Sequence, residues 1–532
     1  MKATYIDYNE TNSFSSTALC YLAQDSKLAP FISYFPSLEN FGKLMAEKNV
    51  IANRQVLHDV VFRQYHATLT SSPIHDKVSN NIQLLLKDNT FTVTTGHQLN
   101  IFTGPLYFIY KIVTAINLAT ELKAKYPEKN FVPVYWMASE DHDFAEINHV
   151  KVFGKKISWD MQASGATGRL DPHTIAEALR AYQNTLGASK NADRLADIIQ
   201  TAYLEQKTLA SSTRYLVNSI FEEYGLIIID ADEVDLKQQF APIIEEDILT
   251  RKSVKAITAS SAKLKEAGFD PQVNSRDINF FYMKDELRER IVEEDNVYYI
   301  LNSDVRFSTE EMRKEIRSFP ERFSPNVVMR PLYQEVILPN LAYIGGGAEL
   351  VYWLQLKKNF DQFKVDYPII LLRNSATLAD ESLNSKLCRL HITAKDIFKD
   401  TEVLKKEWVV KNSRHALSLQ EEISEFQALF EKLKLRACKI DPTLLPSTDA
   451  VRARLKHALI NLEKKLVKAE KRNHEGSLQQ IEAIKQKYFP GGALQERSEN
   501  FGIYFVKYGD ALIAELVRHF KPLDSKFTIL EP

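Results

Sequence analysis

Cysteine is scarce in this sequence. Only Cys20, Cys388 and Cys438 occur in 532 residues, far apart and without a C-x-x-C pair, which argues against a disulfide framework and a cysteine-built zinc site. Net charge is equally scant. Lys and Arg number 68 against 69 Asp and Glu, a formal balance of -1 with a pI near 6.9, so no global field draws the chain toward nucleic acid or an anionic membrane. No run approaches the roughly 18 consecutive apolar residues of a membrane span. The opening stretch MKATYIDYNETNSFSSTALC lacks the apolar segment behind a basic start that a secretory signal requires. Internal repeats and low-complexity tracts are missing as well. These absences predict a cytoplasmic protein with neither nucleic acid nor membrane as partner.

What is present is the makings of a large core. Hydrophobic residues are 45% and charged residues 26% of the chain, the balance of a folded protein, and the length predicts two or three domains. Residues 1–88 read as helical segments rich in Leu, Phe and Lys, a lead-in packed on the core, with Ser-Ser-Pro at 71–73 as a break. Phe91–Thr95 is a short β-branched run before Gly96. From Leu106, the spacing of Tyr107, Tyr110, Ile112, Ala115 and Leu118 predicts a helix, and the apolar run Phe131–Ala138 completes a β-α-β unit. Further candidate strands are Leu226–Ile229, Val297–Leu301, Val336–Ile344 and Ile369–Leu372. Continuous apolar strands with helices between them suit an α/β fold with an open, doubly wound, mostly parallel sheet; this core is assigned to residues 89–415.

From about Ala416 the character changes. Ile423, Phe426, Phe430 and Leu433, then Val451, Leu455, Leu459, Leu462, Leu466 and Ala469 recur at coiled-coil spacing. Pro442, Pro446 and Ser447-Thr448-Asp449 interrupt the two stretches, so residues 416–488 are expected to form an antiparallel helical hairpin with a third helix around Ser477–Tyr488. Its lysines and arginines read as a solvated outer face, with a phosphate-binding patch as the minority alternative. Residues 489–532 are a C-terminal segment expected to return to the core.

Four stretches could carry chemistry. In Thr95-Gly96-His97-Gln98, continuing to Thr103-Gly104-Pro105, a strand passes into a helix; Gly96 and Gly104 permit tight turns, unpaired N–H groups at the helix start can bind phosphate oxygens, and His97 and Thr103 add side-chain donors. A locally satisfied turn histidine is the alternative. Glu140-Asp141-His142-Asp143 ends a predicted strand, where carboxylates around a histidine could act as general base, seat an amine or ligate Mg²⁺, or could form only a solvated helix cap. Gly345-Gly346-Gly347 before Glu349 implies close backbone approach by phosphate, sugar or another strand, with Glu349 either a ligand for an amine or a helix-dipole partner. Arg373, after the strand Pro368–Leu372, suits a phosphate or carboxylate clamp as well as a structural arginine. Neither a P-loop ending nor G-x-G-x-x-G occurs.

The segments TGHQLNIFTGPLYFIYK, PVYWMASEDHDFAEINHV, SPNVVMRPLYQEVILPNLAYIGGGAELVYW and YFPGGALQER together resemble, nearly end to end and in order, the bacillithiol biosynthesis cysteine-adding enzymes. The resemblance implies a Rossmann-like core similar to class I nucleotidyltransferases, with connecting inserts, and a coiled coil supporting a homodimer. It further implies a cysteine ligase that joins cysteine to glucosinyl-malate through an amide bond, with ATP or ADP at the nucleotide site and Mg²⁺ as its companion. Catalysis then falls to His97, Asp141, His142 and Asp143, and nucleotide binding to Gly96, Gln98, Thr103, Gly104, Gly345, Gly346, Gly347, Glu349 and Arg373; no metal ligand is assigned. A Lys-Met-Ser-Lys-like loop is absent from the sequence, and Gly96-His97-Gln98 stands where many members have Gly-Gln-Gln. The alternatives are a nucleotide-binding coiled-coil scaffold for the pathway and a related ligase for another amine.

Overall fold

The computed structural model describes residues 1–70 and 72–532, so part of the break expected at 71–73, Ser71, lies outside the described residues. Five parallel strands form the central sheet: β1 (Thr90–His97), β2 (Asn130–Met137), β3 (Ile227–Asp230), β4 (Asn340–Gly345) and β5 (Ile369–Leu372). They lie side by side in the order 5-4-1-2-3, so the winding reverses between β1 and β4, as in the doubly wound nucleotide-binding folds. Seven of the eight residues of β1 are buried, which is why its pattern is continuous rather than alternating. Helix α1 (Tyr107–Lys125) is buried on nearly every side and returns the chain from β1 to β2 along one face of the sheet.

The expected strand at Val297–Leu301 belongs elsewhere. Val297–Ile300 pairs antiparallel with Leu287–Glu294 in a second, five-stranded antiparallel sheet inserted between β3 and β4. Asp295 and Asn296, both at positive φ (52° and 63°), make the connection. A two-residue turn of that kind closes a hairpin and leaves no room for the crossover that parallel pairing needs. The expected strand Val336–Ile344 is also split: Arg330–Ile337 is a helix and the strand begins at Asn340, because Leu338 precedes a proline and adopts extended backbone (φ -114°, ψ 139°).

The first 88 residues hold a strand besides their helices. Lys2–Asp7 pairs antiparallel with Lys526–Glu531, which pairs in parallel with Ser375–Leu378 just after β5. Helix α2 (Val234–Thr250) follows β3, and the seven-residue helix α3 (Gly347–Trp353) follows β4. Helices α4 (Gln420–Ile440), α5 (Leu445–Asn473) and α6 (Glu475–Tyr488) make the hairpin and its third member. Ser447-Thr448-Asp449 lies inside the first turn of α5 rather than ahead of it, and Asp441 caps the turn by accepting from the Thr443 N–H at 2.9 Å. Arg452 and Lys471 are engaged by Glu431 and Glu402 at 2.5 and 2.7 Å. Among the described residues no helix is long and apolar enough to cross a membrane.

Candidate active site

A cleft of about 570 Å³ opens at the carboxyl ends of the strands, where β1 and β4 part. Open parallel sheets leave such a crevice because the connecting helices diverge to opposite faces. Gly96, His97 and Gln98 enter it from β1, Trp136 and Asp141 from the end of β2, Gly346, Gly347 and Glu349 from β4–α3, and Arg373 from β5. These residues come from four stretches distant in sequence.

At the floor, Lys111 of α1 donates to the Gly96 carbonyl at 2.9 Å and ion-pairs with Glu349. Burial lowers the lysine pKa, opposed by Glu349. Burial works to raise the Glu349 pKa, yet the Lys111 pair and hydrogen bonds from Tyr343 Oη (2.6 Å) and the Gly346 N–H (2.8 Å) hold it below the ordinary range. Glu349 is therefore occupied inside the protein. The glycine turn accommodates that carboxylate: a Cβ on Gly345 would lie 3.1 Å from Glu349 Cβ, and one on Gly346 3.3 Å from its Oε2.

His97 packs between Phe108 and Tyr107, ring centres 5.1 and 5.3 Å away. Burial, with Lys111 second, pushes its pKa down to about 3. The imidazole is thus neutral at physiological pH, and its buried Nε2 has no hydrogen-bond partner among the described residues. Beside it in the chain, Gln98 Nε2 donates to both Asp141 and Glu146 at 2.7 Å, and Asp141 also accepts from the backbone of His142 at 2.7 Å. Of these carboxylates Asp141 lines the cleft with His97.

Arg373 is closed rather than open. Its Nη2 donates to Glu496 at 2.6 Å, with both side chains almost wholly buried. Glu496 belongs to the C-terminal segment, whose next residue, Arg497, lines the cleft. Arg330 behaves otherwise: its guanidinium sits by the rings of Trp136 and Tyr343, 5.7 and 5.2 Å away, Nη1 meets Gln334 at 3.0 Å, and Nη2 has no partner among the described residues.

Five residues singled out in the sequence do not line this cleft. Thr103 and Gly104 form a buried turn with Phe102, all at positive φ (70°, 61° and 50°). Asn500 braces the turn by donating to the Phe102 and Gly104 carbonyls at 2.7 Å. Gly345 lies beneath the cleft, its carbonyl taken by the Arg373 N–H at 2.8 Å. Asp143 caps the short helix Phe144–Ile147 by accepting from Glu146 N at 3.2 Å. His142 faces an adjoining chamber of about 450 Å³ that shares Trp136, Asp141 and Arg330 with the cleft. Conversely, Lys111, Trp136, Arg330, Tyr343 and Arg497 line the cleft and were not expected. Only Lys111 carried a signal: a single cation early in an otherwise apolar helix. No cluster of three or more His, Cys, Asp or Glu able to hold a metal occurs among the described residues.

Sheet order and cleft position define a doubly wound, Rossmann-like α/β protein with a cleft at the topological switch point. The chain belongs to the BshC family of bacillithiol biosynthesis. Residues 1–374 match the family model "Bacillithiol biosynthesis BshC, N-terminal Rossmann-like domain", and residues 376–532 match "Bacillithiol biosynthesis BshC, C-terminal coiled-coil domain". It is 44% identical over 537 residues to the "Putative cysteine ligase BshC" of Flavobacterium johnsoniae, and 42% identical over 535 residues to the same-named protein of Flavobacterium psychrophilum, covering 100% of both chains each time. The relatives' name places the chain in a ligase family. A tyrosyl-tRNA synthetase complexed with L-tyrosine, from Archaeoglobus fulgidus, aligns with 80% of this chain and 99% of its own at 9% identity and a TM-score of 0.22, a likeness that carries no argument.

Proposed function

We propose that the protein is a cytoplasmic cysteine ligase that forms an amide between the cysteine carboxyl and the amine of glucosinyl-malate, with ATP as co-substrate. The observation that carries this reading is the switch-point cleft. There a neutral, unpartnered His97 shares the cleft with Gln98 and Asp141, in a chain related over its whole length to proteins bearing the cysteine-ligase name. A carboxylate does not acylate an amine at neutral pH unless its oxygen is first made a leaving group, which is the chemistry ATP would supply. The buried unpartnered Nε2 of His97, with Arg497 lining the same cleft, is suited to hydrogen-bonding phosphate oxygens, so the cleft fits a nucleotide.

In this reading Arg497 holds negative charge, His97 orients the reacting acyl group, and Asp141 takes the proton that the attacking amine loses. His97 cannot carry positive charge in its resting environment, so it acts as a neutral donor or acceptor. Mg²⁺ would accompany the nucleotide through phosphate oxygens, with Asp141 and Glu146 the nearest carboxylates of the edge. The protein works as a homodimer through the α4–α5 hairpin, whose leucines are left uncovered in the single chain.

The test is mass-spectrometric detection of bacillithiol after incubating purified protein with ATP, Mg²⁺, cysteine and glucosinyl-malate. The expected outcome is product from the natural protein, and a rate about a hundredfold lower for His97→Ala and for Asp141→Ala. Absence of product from the natural protein would overturn the reading.

A further inference from the structure

Apart from Arg497, which lines the cleft and forms no ion pair among the described residues, cations around the cleft fall into two groups. Lys111, Lys237 and Arg373 are each closed by a buried or half-buried carboxylate, respectively Glu349, Glu140 and Glu496. Arg276, Arg288 and Arg330 form no ion pair among the described residues, and all three line the adjoining chamber of about 450 Å³. Arg288 lies 4.0 Å from the centre of the Phe281 ring, its Nε donates to Ser324 Oγ at 3.1 Å, and its Nη1 is 2.5 Å from His142 Nδ1. These contacts fix the guanidinium without an ion pair, while Glu140 and Asp141 act on its charge from farther off. Arg330 lines both chamber and cleft and keeps a buried Nη2 without a partner among the described residues, and Arg276, also of the chamber lining, is exposed.

Two carboxylates stand on the same wall, and both are occupied. Burial drives the Glu140 pKa upward against the pull of Lys237, to which it is bonded, and Asp141 already accepts from Gln98 and from two backbone N–H groups. Lys237 balances Glu140, so three arginines face the single remaining carboxylate, Asp141, and the chamber keeps an excess of positive charge in planar, fork-shaped groups, the geometry that suits carboxylates best.

We propose that this second chamber is a dicarboxylate subsite. It takes the two-carboxylate end of the amine substrate, with Arg288 and Arg330 as clamps and Arg276 guiding entry, so that the amine reaches the Asp141 edge through the passage beside Trp136. The inference rests on the ligase reading for the identity of its ligand. The charge pattern stands without that reading.

Two experiments test it on the full-length protein. Calorimetric titration with L-malate, using lactate as the one-carboxylate control, is expected to show malate binding at least tenfold tighter than lactate, and an affinity about tenfold lower in Arg276→Ala and Arg288→Ala. In the ligase assay, the preference of the natural protein for glucosinyl-malate over methyl glucosaminide, expressed as the ratio of their KM values, is expected to collapse in both variants. Arg276 is exposed, so its replacement keeps the test decisive if Arg288→Ala does not fold. Malate affinity unchanged in the variants, or a KM that rises equally for both amines, overturns the subsite. If the natural protein makes no bacillithiol, the ligase reading falls while the malate titration still decides the chamber.

Discussion

Among single residues, Glu335 is the one whose ionisation opposes folding most plainly. It is buried under the sheet, accepts from Asn340 Nδ2 at 2.6 Å and Gln334 Nε2 at 2.9 Å, and stands 3.6 Å from Lys48. Burial raises its pKa from the ordinary 4.5 to about 7, with Lys48 and the two amides opposing the shift. Below pH ~4.5 both the folded and the unfolded chain hold the proton. Between there and about 7 only the folded chain holds it, so stability falls as pH rises through that window. Glu335→Gln keeps the amide contacts and removes the titration. Thermal melts from pH 5 to 8 are expected to show a flatter profile for the variant, by on the order of 1–3 kcal/mol across the range; an unchanged slope would assign the pH dependence elsewhere.

Among elements, the hairpin makes the sharpest demand. Leu429 and Leu433 of α4 and Leu455, Leu462 and Leu466 of α5 are 36–54% exposed, although their spacing is that of a buried seam. Covering such a row by a second copy removes apolar area at about 25 cal/mol per Å². Leu455→Glu combined with Leu462→Glu is expected to give a monomer by light scattering after size exclusion, with the melting of the α/β core little changed; a dimer persisting in that variant would place the contact elsewhere.

The same scale shows what was legible beforehand. β2, β3 and β5 announced themselves as apolar runs because both faces of the sheet are covered, β1 by its β-branched residues before Gly96, and the hairpin by its period. The run at Val297 misled because a half-buried hairpin strand and a short buried parallel strand look alike over four residues; the Asp295-Asn296 turn was the distinguishing mark. For the cleft, strand ends pointed to the neighbourhood of His97 and Asp141. Arg330, Tyr343 and Arg497 were not legible as site residues, because their meaning comes from convergence of segments more than 200 residues from His97. Glu349 and Arg373 looked free only because Lys111 and Glu496, their partners, are remote in sequence.

At the scale of the whole molecule, strand Lys526–Glu531 is the middle member of its sheet, between Lys2–Asp7 and Ser375–Leu378. Phe527, Ile529 and Leu530 are buried there. Deleting residues 526–532 removes those side chains and strips hydrogen bonds from both neighbours. Hydrogen exchange is expected to show protection lost together at residues 2–7 and 375–378, with β1 and β2 retaining theirs; independent behaviour of the two neighbours would contradict their coupling through the shared strand.

The Arg373–Glu496 pair spans 123 residues, and a ribosome adding roughly 5–20 residues per second takes about 6–25 s to cover that distance. Throughout that interval the emerging Arg373 is an uncompensated cation beside a cleft that still lacks Arg497. The cleft becomes electrically complete only after the hairpin has been made, so a nascent chain carrying every strand of the central sheet does not yet hold the finished cleft.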